Sequence, residues 1–267
     1  MKTIWLSSYP KSGNTWVASF LYHYFFGAPK NSSEIMERIP DIHQLMANNL
    51  SLNENSDHNN ICKSHFIYFN AHPHINTTAG FIYLLRHPKD VLLSGLHFLV
   101  MHNPDTKIDA YQYAINFIEY SGDFTWQNMG FGTWPQHVES WHHAANYYNS
   151  IFVHYEALRR NPQKFKDIIH FLSPEEINEE QFQYAVRQTT FANMRQLEKE
   201  EKQNSFENSM FPGGKSSLEN GHYFVNKGAV GQNLSHIGAD LDERFDEKFS
   251  AILSKLGYPL TEDNYTP

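Results

Sequence analysis

A short polar segment near the beginning of the chain has the residue types that bind phosphate groups. It covers residues 8–16, between an apolar run and a segment with helical periodicity. Backbone amides at such a strand-to-helix junction bind anions with the help of the helix dipole. Gly13 permits a backbone conformation in which amides converge, and Lys11 adds a positive charge. The segment predicts a phosphate loop; an ordinary turn with an exposed lysine is the alternative.

The residue order in this loop differs from that of the Walker A motif. That motif needs Gly, four residues and then Gly-Lys-Ser/Thr, with the hydroxyl placed on Mg²⁺. Here Lys11 precedes Gly13, and the loop contains no Gly-Lys pair. Asn14 and Thr15 can instead cap the helix or bind phosphate oxygens. The loop therefore indicates a nucleotide whose transferred group is not a phosphoryl group.

A second basic segment follows the third apolar run of the chain. Arg86 ends this run, and Ser94 lies eight residues later in a predicted helix. Ligands of open parallel sheets bind beyond the carboxyl ends of the strands, where Arg86 and Lys11 both fall. The guanidinium fork of an arginine suits a phosphate. A surface arginine that caps a strand is the alternative.

Strands and helices alternate along the chain. Predicted buried strands are Ile4-Trp5-Leu6, Asn60-Ile61-Cys62-Lys63, Phe81-Ile82-Tyr83-Leu84-Leu85 and Ile151-Phe152-Val153. Helical spacing of apolar residues is found in Trp16/Phe20/Tyr24, Leu92/Leu93/Leu96 and Val138/Trp141/Ala145. Continuous apolar strands separated by helices are typical of an α/β fold with a mainly parallel sheet. A last helix is predicted from about Leu241 to Leu256, before Gly257 and Pro259.

Composition limits the class of protein. The 267 residues are 40% hydrophobic and 19% charged, which indicates a single globular domain over residues 1–267. The formal charge of −8 argues against a general nucleic-acid binder. Cys62 is the only cysteine, which excludes a disulfide framework and a cysteine-built zinc site. No targeting segment and no apolar run of membrane-spanning length are found, so we expect no membrane contact and a cytoplasmic location.

Two polar segments interrupt the alternation. Residues 51–59 form a polar loop before the second predicted strand. Residues 198–225 begin with charges of both signs and continue with Pro212-Gly213-Gly214. A loop of this length in a compact domain is typically a lid or a binding loop, and we expect a mobile lid. Its carboxylates, with the negative overall charge, favour a cationic acceptor; a solvated helix end is the alternative interpretation.

Taken together, these segments make the chain resemble the soluble sulfotransferases, of the cytosolic or bacterial natural-product type. These enzymes use 3′-phosphoadenosine 5′-phosphosulfate (PAPS). Residues 9–16 match their 5′-phosphosulfate loop except at Asn14, and Arg86 with Ser94 matches their 3′-phosphate signature. Lys63-Ser64-His65 resembles the family's Lys-Thr-His. Further similar segments are Gly132 to Trp141, His154-Tyr155-Glu156, Thr189 to Met194 and Asn226 to Gly231.

The resemblance implies a P-loop-NTPase-like fold, with a central parallel sheet flanked by helices, and an in-line sulfuryl transfer. The acceptor would be a hydroxyl of a small metabolite or natural product, with a nitrogen as the second choice. The products would include adenosine 3′,5′-bisphosphate (PAP), and no metal is needed. The implied catalytic residues are His65 as the base, Lys11 and Lys63 as charge-neutralising groups, and Ser94 as a partner of Lys11.

The resemblance also implies the binding residues. Those for the nucleotide are Lys11, Ser12, Gly13, Asn14, Thr15, Trp16, Arg86, Ser94, Tyr155, Thr189, Phe191, Asn226, Lys227 and Gly228. Among them, Trp16 and Phe191 would sandwich the adenine. Asn226 replaces the usual arginine and removes one charge from the 3′-phosphate site. The segments that border the acceptor in the family correspond here to segments that contain His97, Phe98, Met101, Phe131 and Trp134.

Two other functions remain as alternatives. A nucleotide-dependent small-molecule kinase would share the strand, phosphate loop and helix, and Mg²⁺ dependence would identify it. A non-catalytic nucleotide-binding module would not need both lysines and His65. The pairs His72/His74 and His142/His143 lack the spacing of a zinc-binding helix, so no metal site is expected. The sequence does not support a homodimer.

Overall fold

A four-stranded parallel sheet forms the centre of the fold. The structure is a computed structural model that describes residues 2–48, 50, 60–69, 72 and 75–258. Its strands are β1 (Thr3–Ser8), β2 (Asn60–Ser64), β3 (Thr78–Leu85) and β4 (Asn149–His154). They lie in the order β2-β1-β3-β4, and each neighbouring pair is parallel. This confirms the predicted α/β class and the four predicted strands. Residues 51–59, Pro73, His74 and Pro259 lie outside the described residues.

Helices connect the strands and follow the last of them. Those before β4 are α1 (Asn14–Phe26), α2 (Ser32–Arg38), α3 (Ile42–Ala47), α4 (Pro88–His102), α5 (Ala110–Glu119), α6 (Phe124–Trp126) and α7 (Trp134–Ala144). Those after it are α8 (Tyr155–Arg160), α9 (Phe165–Leu172), α10 (Glu179–Gln188), α11 (Phe191–Gln203), α12 (Gly214–Glu219) and α13 (Leu241–Lys255). The helical spacings in the sequence fall in α1, α4 and α7, as predicted. None of the described helices has the length and apolar character needed to cross a membrane.

The sheet separates two hydrophobic cores, because alternate residues of a strand point to opposite faces. In β3, Phe81, Tyr83 and Leu85 face the core built with α4, α5, α7 and α13. Ile82 and Leu84 face the core built with α1, α9 and α10. Helices thus cover both faces of the sheet and leave its carboxyl edge as the place where loops from all four strands meet.

The segment expected to be one long loop, residues 198–225, contains two helical parts. Its first six residues are the end of α11, and α12 lies further along it. Glu198 and Lys202 are buried and joined by a hydrogen bond of 2.6 Å. Glu198, Glu201 and Lys202 of the mixed-charge sequence are thus packed against the protein, whereas Lys199 and Glu200 are exposed.

Candidate active site

Loops from the ends of all four strands surround one cavity of about 660 Å³. Lys11 follows β1, His65 follows β2, Arg86 follows β3 and Tyr155 follows β4, and all four line the cavity. Ser94 of α4 lines it as well. This volume is typical of small-molecule sites. The parallel sheet therefore brings the predicted phosphate-binding and catalytic residues together.

The phosphate loop has the backbone shape expected of an anion site. Lys11 and Gly13 both have positive φ, of 67° and 100°. A Cβ at Gly13 would stand 2.6 Å from the ring of Tyr155, so only glycine fits there. Gly13 is also the N-cap of α1, where no side chain occupies the first-turn amides. These amides, at the positive end of the helix dipole, face the cavity side of the loop.

Two loop residues have roles that differ from the expectation. Asn14 donates through Nδ2 to the backbone oxygen of Leu6 at 3.0 Å and to the hydroxyl of Ser8 at 3.3 Å. Its amide thus fixes the loop to β1 and is already used, although it was expected to reach a phosphate oxygen. Ser12 is buried, does not line the cavity, and its hydroxyl has no partner among the described residues. Thr15 does line the cavity.

Arg86 connects the phosphate loop to the C-terminal loop of the site. Its Nη1 donates to the backbone oxygen of Lys11 at 2.7 Å, and its Nη2 donates to that of Ala229 at 3.0 Å. The guanidinium lies 4.3 Å from the ring centre of Tyr155. Its Nε is buried and has no hydrogen-bond partner in the described part of the chain. A buried donor without a partner is costly, so this atom is suited to a ligand oxygen.

The C-terminal loop places Asn226, Lys227 and Gly228 at the cavity. Gly228 has φ of 56° and lies so close to the ring of Phe191 that a Cβ would collide with it. Arg159 donates from Nε to the backbone oxygen of Gly228 at 3.0 Å, and its guanidinium lies 4.2 Å from the Phe191 ring. Sequence analysis missed Arg159, because no loop pattern marks this residue in the last turn of α8.

Aromatic residues form the wall on the nucleotide side. Trp16, Tyr155 and Phe191 line the cavity, whereas Thr189 is buried outside it and accepts from Trp16 Nε1 at 2.8 Å. The ring centres of Trp16 and Phe191 are 6.0 Å apart, with planes inclined by 57°. A base between two parallel rings needs about 7 Å, twice the optimal carbon contact. In this structure the two rings form one continuous wall and not the two sides of a slot.

His65 is held in the tautomer that a general base requires. Its Nδ1 donates to the backbone oxygen of Ser8 at 2.8 Å, which leaves Nε2 as the proton acceptor of the neutral ring. Burial lowers the pKa of His65. His137 donates from Nε2 to the backbone oxygen of His65 at 3.1 Å and accepts from the Tyr83 hydroxyl at 2.7 Å. Burial lowers the pKa of His137 to about 3, so this supporting ring is neutral.

A carboxylate and a second histidine line the cavity close enough to His65 to interact with it. Asp41 caps α3 by accepting from the backbone amide of His43 at 2.9 Å, and its Oδ2 is 3.9 Å from Lys63 Nζ. Among the described cavity residues, Asp41 is the one carboxylate. Burial lowers the pKa of His43 to about 4, and its Nε2 is buried without a described partner. No motif marked Asp41 or His43, because Pro40 to Gln44 meets Lys63 only through tertiary pairing.

The Lys11 ammonium contacts two aromatic rings. Its Nζ is 4.2 Å from the ring centre of Phe98 and 4.3 Å from that of Phe224. Burial, together with the neighbouring Arg86 charge, lowers the pKa of Lys11 to about 7, and Glu198 opposes this change. Phe224, like Arg159, was not among the predicted site residues.

Of the five residues expected around the acceptor, the structure brings two to the cavity. Phe98 and Phe131 line it. His97 instead makes a hydrogen bond of 2.7 Å to the backbone oxygen of Tyr223. Met101 and Trp134 are almost fully buried in the core and do not reach the cavity. Residues of this wall that sequence analysis missed are Thr125, Trp126 and Met129.

The carboxylates expected to attract a cationic acceptor do not face the cavity. Glu198 accepts from Lys202 and from two backbone amides, and Glu201 accepts from Ser32 and Ser209. These two groups are used internally and do not line the cavity, so they give no support to a cationic acceptor, which stays a prediction. No group of three metal-binding side chains occurs among the described residues.

Comparison with known proteins identifies relatives of this chain. The family model for the sulfotransferase domain matches residues 1–257. The amine sulfotransferase of Oryctolagus cuniculus is 29% identical over 247 residues, which cover 92% of this chain and 79% of the relative. Sulfotransferase 1C2 of Rattus norvegicus is 30% identical over 132 residues, covering 48% of this chain and 41% of the relative.

Solved structures show the same fold. Mouse sulfotransferase SULT7A1 complexed with PAP aligns with a TM-score of 0.59 and 20% identity, covering 96% of this chain and 88% of that one. A retinol dehydratase in complex with androsterone and the inactive cofactor PAP aligns with a TM-score of 0.66 and 14% identity, covering 95% and 81%. With a domain match over nearly its whole length, the chain belongs to the sulfotransferase family.

Proposed function

We propose that this sulfotransferase moves a sulfuryl group from PAPS to a hydroxyl of a small metabolite or natural product, and that it acts in the cytoplasm. The observation that carries the proposal is the meeting of the phosphate loop, Arg86, Lys63 and the neutral ring of His65 at one cavity. Mouse SULT7A1 and the retinol dehydratase were both crystallised with PAP. We also propose that residues 1–267 form one domain and that residues 198–225 cover the bound donor.

The cavity residues fit a nucleotide with phosphates at both ends. The amides of residues 11–16 would hold the 5′ end, and Arg86, Ser94 and Lys227 would hold the 3′-phosphate. The unpartnered Nε of Arg86 supports this, because a phosphate oxygen would satisfy it. The aromatic wall around Phe191 would contact the adenine. Asn226 supplies no charge, so Arg86 and Lys227 carry the binding of the 3′-phosphate.

The same residues supply what an in-line transfer needs. PAPS, when bound, provides an electrophilic sulfur and PAP as the leaving group. His65 accepts the proton of the acceptor hydroxyl at Nε2 while Ser8 holds Nδ1. Lys63 and Lys11 line the cavity on either side and neutralise charge on the transferred and leaving groups. The order of residues in the phosphate loop argues against the kinase alternative, since the Walker A lysine and hydroxyl are missing.

Thermal shifts test the identity of the donor. We expect PAP to raise the Tm by several degrees, because a ligand that binds only the folded protein adds about 2.7 kcal/mol at one hundred times its Kd. ATP with Mg²⁺ should give no comparable shift. Arg86→Met, which removes the fork, serves as the matched variant and should lose most of the PAP shift. A shift with ATP and Mg²⁺ alone would support the kinase instead.

An amine is the second candidate for the group that accepts the sulfuryl group. The Asp41 carboxylate in the cavity, and the name of the rabbit amine sulfotransferase, favour an amine. We expect the labelled sulfuryl group of PAPS to be transferred to phenols more efficiently than to alkyl amines, which are cations near neutral pH. In Asp41→Asn, the ratio of amine to phenol kcat/KM should fall about fivefold or more, because a partly buried carboxylate contributes on this scale to a cation. Sulfamate products alone, from either protein, would overturn the choice of a hydroxyl.

A further inference from the structure

Two rings from different elements lie against the Lys11 ammonium, and they also contact each other, with centres 6.4 Å apart and planes inclined by 72°. Phe98 comes from α4 and Phe224 from the segment before the C-terminal loop, and each ring centre lies just over 4 Å from Nζ. These distances are those of cation–π contacts, in which the negative face of a ring attracts an ammonium. Two faces around one cation give a site that attracts the charged form more strongly than an aliphatic wall would.

The surroundings of Lys11 otherwise oppose its charge. Burial lowers its pKa to about 7, and the Arg86 guanidinium acts in the same direction. His65 and His97 also lie near enough to interact with the ammonium, while Glu198 opposes these effects. With the lysine close to half-charged near pH 7, a modest contribution from the rings decides how much of the protein carries the ammonium.

A buried ion pair fixes the position of Phe224. Glu198 accepts from the backbone amides of Phe224 at 2.6 Å and Val225 at 2.8 Å. Lys202 donates to Glu198 at 2.6 Å and to the Ser217 hydroxyl at 2.8 Å. Glu198 and Lys202 are 0% and 2% exposed, so the carboxylate is not shared with solvent. These contacts attach the Phe224 backbone to α11, and through Ser217 to α12.

We propose that Phe98 and Phe224 form an aromatic clamp that favours the charged form of Lys11 and directs it toward the donor's leaving group, and that the Glu198–Lys202 pair sets the position of this clamp. The proposal rests on the proposed sulfuryl transfer. Phe224 and Glu198 are positioning residues, since they act through Lys11. Phe224 also explains why a lysine in an apolar wall can still serve as a cation.

Phe224→Leu and Phe224→Tyr separate the effect of a ring face from that of apolar volume. Leu keeps Lys11 buried but removes one of its two ring faces, so we expect the alkaline limb of the kcat/KM profile for PAPS to move to lower pH. At pH 8 this should appear as a loss of about threefold to about tenfold, the range that cation–π contacts give. Tyr keeps the ring and should restore the profile. Phe182→Leu, which removes a ring beside Lys166 outside the cavity, is the control for lost packing.

A titration of the free protein makes the test independent of turnover. With ¹³C-labelled lysine, the ε-carbon of Lys11, assigned with Lys11→Arg, should titrate at lower pH in Phe224→Leu than in the wild type or Phe224→Tyr. Equal titrations in the Leu and Tyr variants would overturn the clamp. If the titrations differ as expected but no sulfuryl transfer is found, the proposed function fails and the clamp stands.

The ion pair is tested with the same two measurements. Glu198→Gln keeps one acceptor for the amides of residues 224 and 225 but leaves Lys202 unpaired, and it should resemble Phe224→Leu. If this variant does not fold, Glu198→Gln/Lys202→Gln removes both charges and retains a hydrogen-bonding pair. A folded single or double variant with the wild-type titration and pH profile would overturn the role of the pair.

Discussion

Replacement of His65 with glutamine is expected to lower kcat for sulfuryl transfer by about 10²-fold or more, the scale on which loss of a general base acts. The glutamine amide can still donate to the backbone oxygen of Ser8, which accepts from His65 at 2.8 Å. The loop geometry should therefore survive, and PAP affinity, measured by calorimetry, should change by less than about threefold. The loss should thus appear in kcat and not in the binding of the nucleotide.

The pH profile gives a second readout for His65. The ring is a base only when neutral, so activity falls as the pH drops through its pKa. Burial lowers that pKa below the ordinary value of about 6.5, and the acid limb of the kcat/KM profile should therefore lie below pH 6.5. In His65→Gln this limb should disappear from the residual rate.

A matched control uses a histidine outside the cavity. His142 of α7 stacks on Phe152 at 4.1 Å and does not line the site. His142→Gln should keep both the rate and the acid limb. Near wild-type turnover of His65→Gln, or an unchanged acid limb, would contradict the assignment of His65 as the base.

The sequence was sufficient to predict how the proposed catalytic residues come together. Lys11, His65 and Arg86 each lie at or shortly after the end of a strand, and parallel strands place such positions at one edge of a sheet. This prediction needed only strand direction, which the alternation with helices supplies. The family resemblance implied Ser94 and Phe98, on the helix after Arg86, and both line the cavity.

What sequence could not predict depends on contacts between distant parts of the chain. Arg86 reaches Ala229 across 143 positions, and Glu198 reaches Phe224 from a different element. Asp41 comes to Lys63 through an isolated β-bridge. In each case the residue types are common, and their partners are fixed by packing and not by a local pattern. Trp134 is the opposite case. Its local motif predicted a residue of the acceptor pocket, but the structure places it in the core.

Replacement of Lys11 with methionine is expected to reduce kcat/KM for PAPS by about 10²-fold to 10³-fold, the cost of removing one preorganised group that stabilises developing charge. Methionine has similar length and is apolar, so it can lie between the rings of Phe98 and Phe224. It also removes a buried ammonium, and the Tm of the unliganded protein should therefore not decrease. A rate close to that of the wild type would contradict the role of Lys11.

Lys11 should also be detectable as a group that takes up a proton when PAP binds. With a pKa of about 7, Lys11 is mostly neutral in the free protein at pH 8, and the negative charge of PAP favours the ammonium. Binding should then take up close to one proton, and PAP affinity should fall by up to about tenfold per pH unit above pH 7. Calorimetry in buffers of different ionisation enthalpy measures this proton uptake. Lys11→Met should lose the uptake, whereas the control Lys215→Met, at an exposed site on α12, should keep it. Equal proton uptake in the wild type and in Lys11→Met would contradict this prediction, because a group other than Lys11 would then bind the proton.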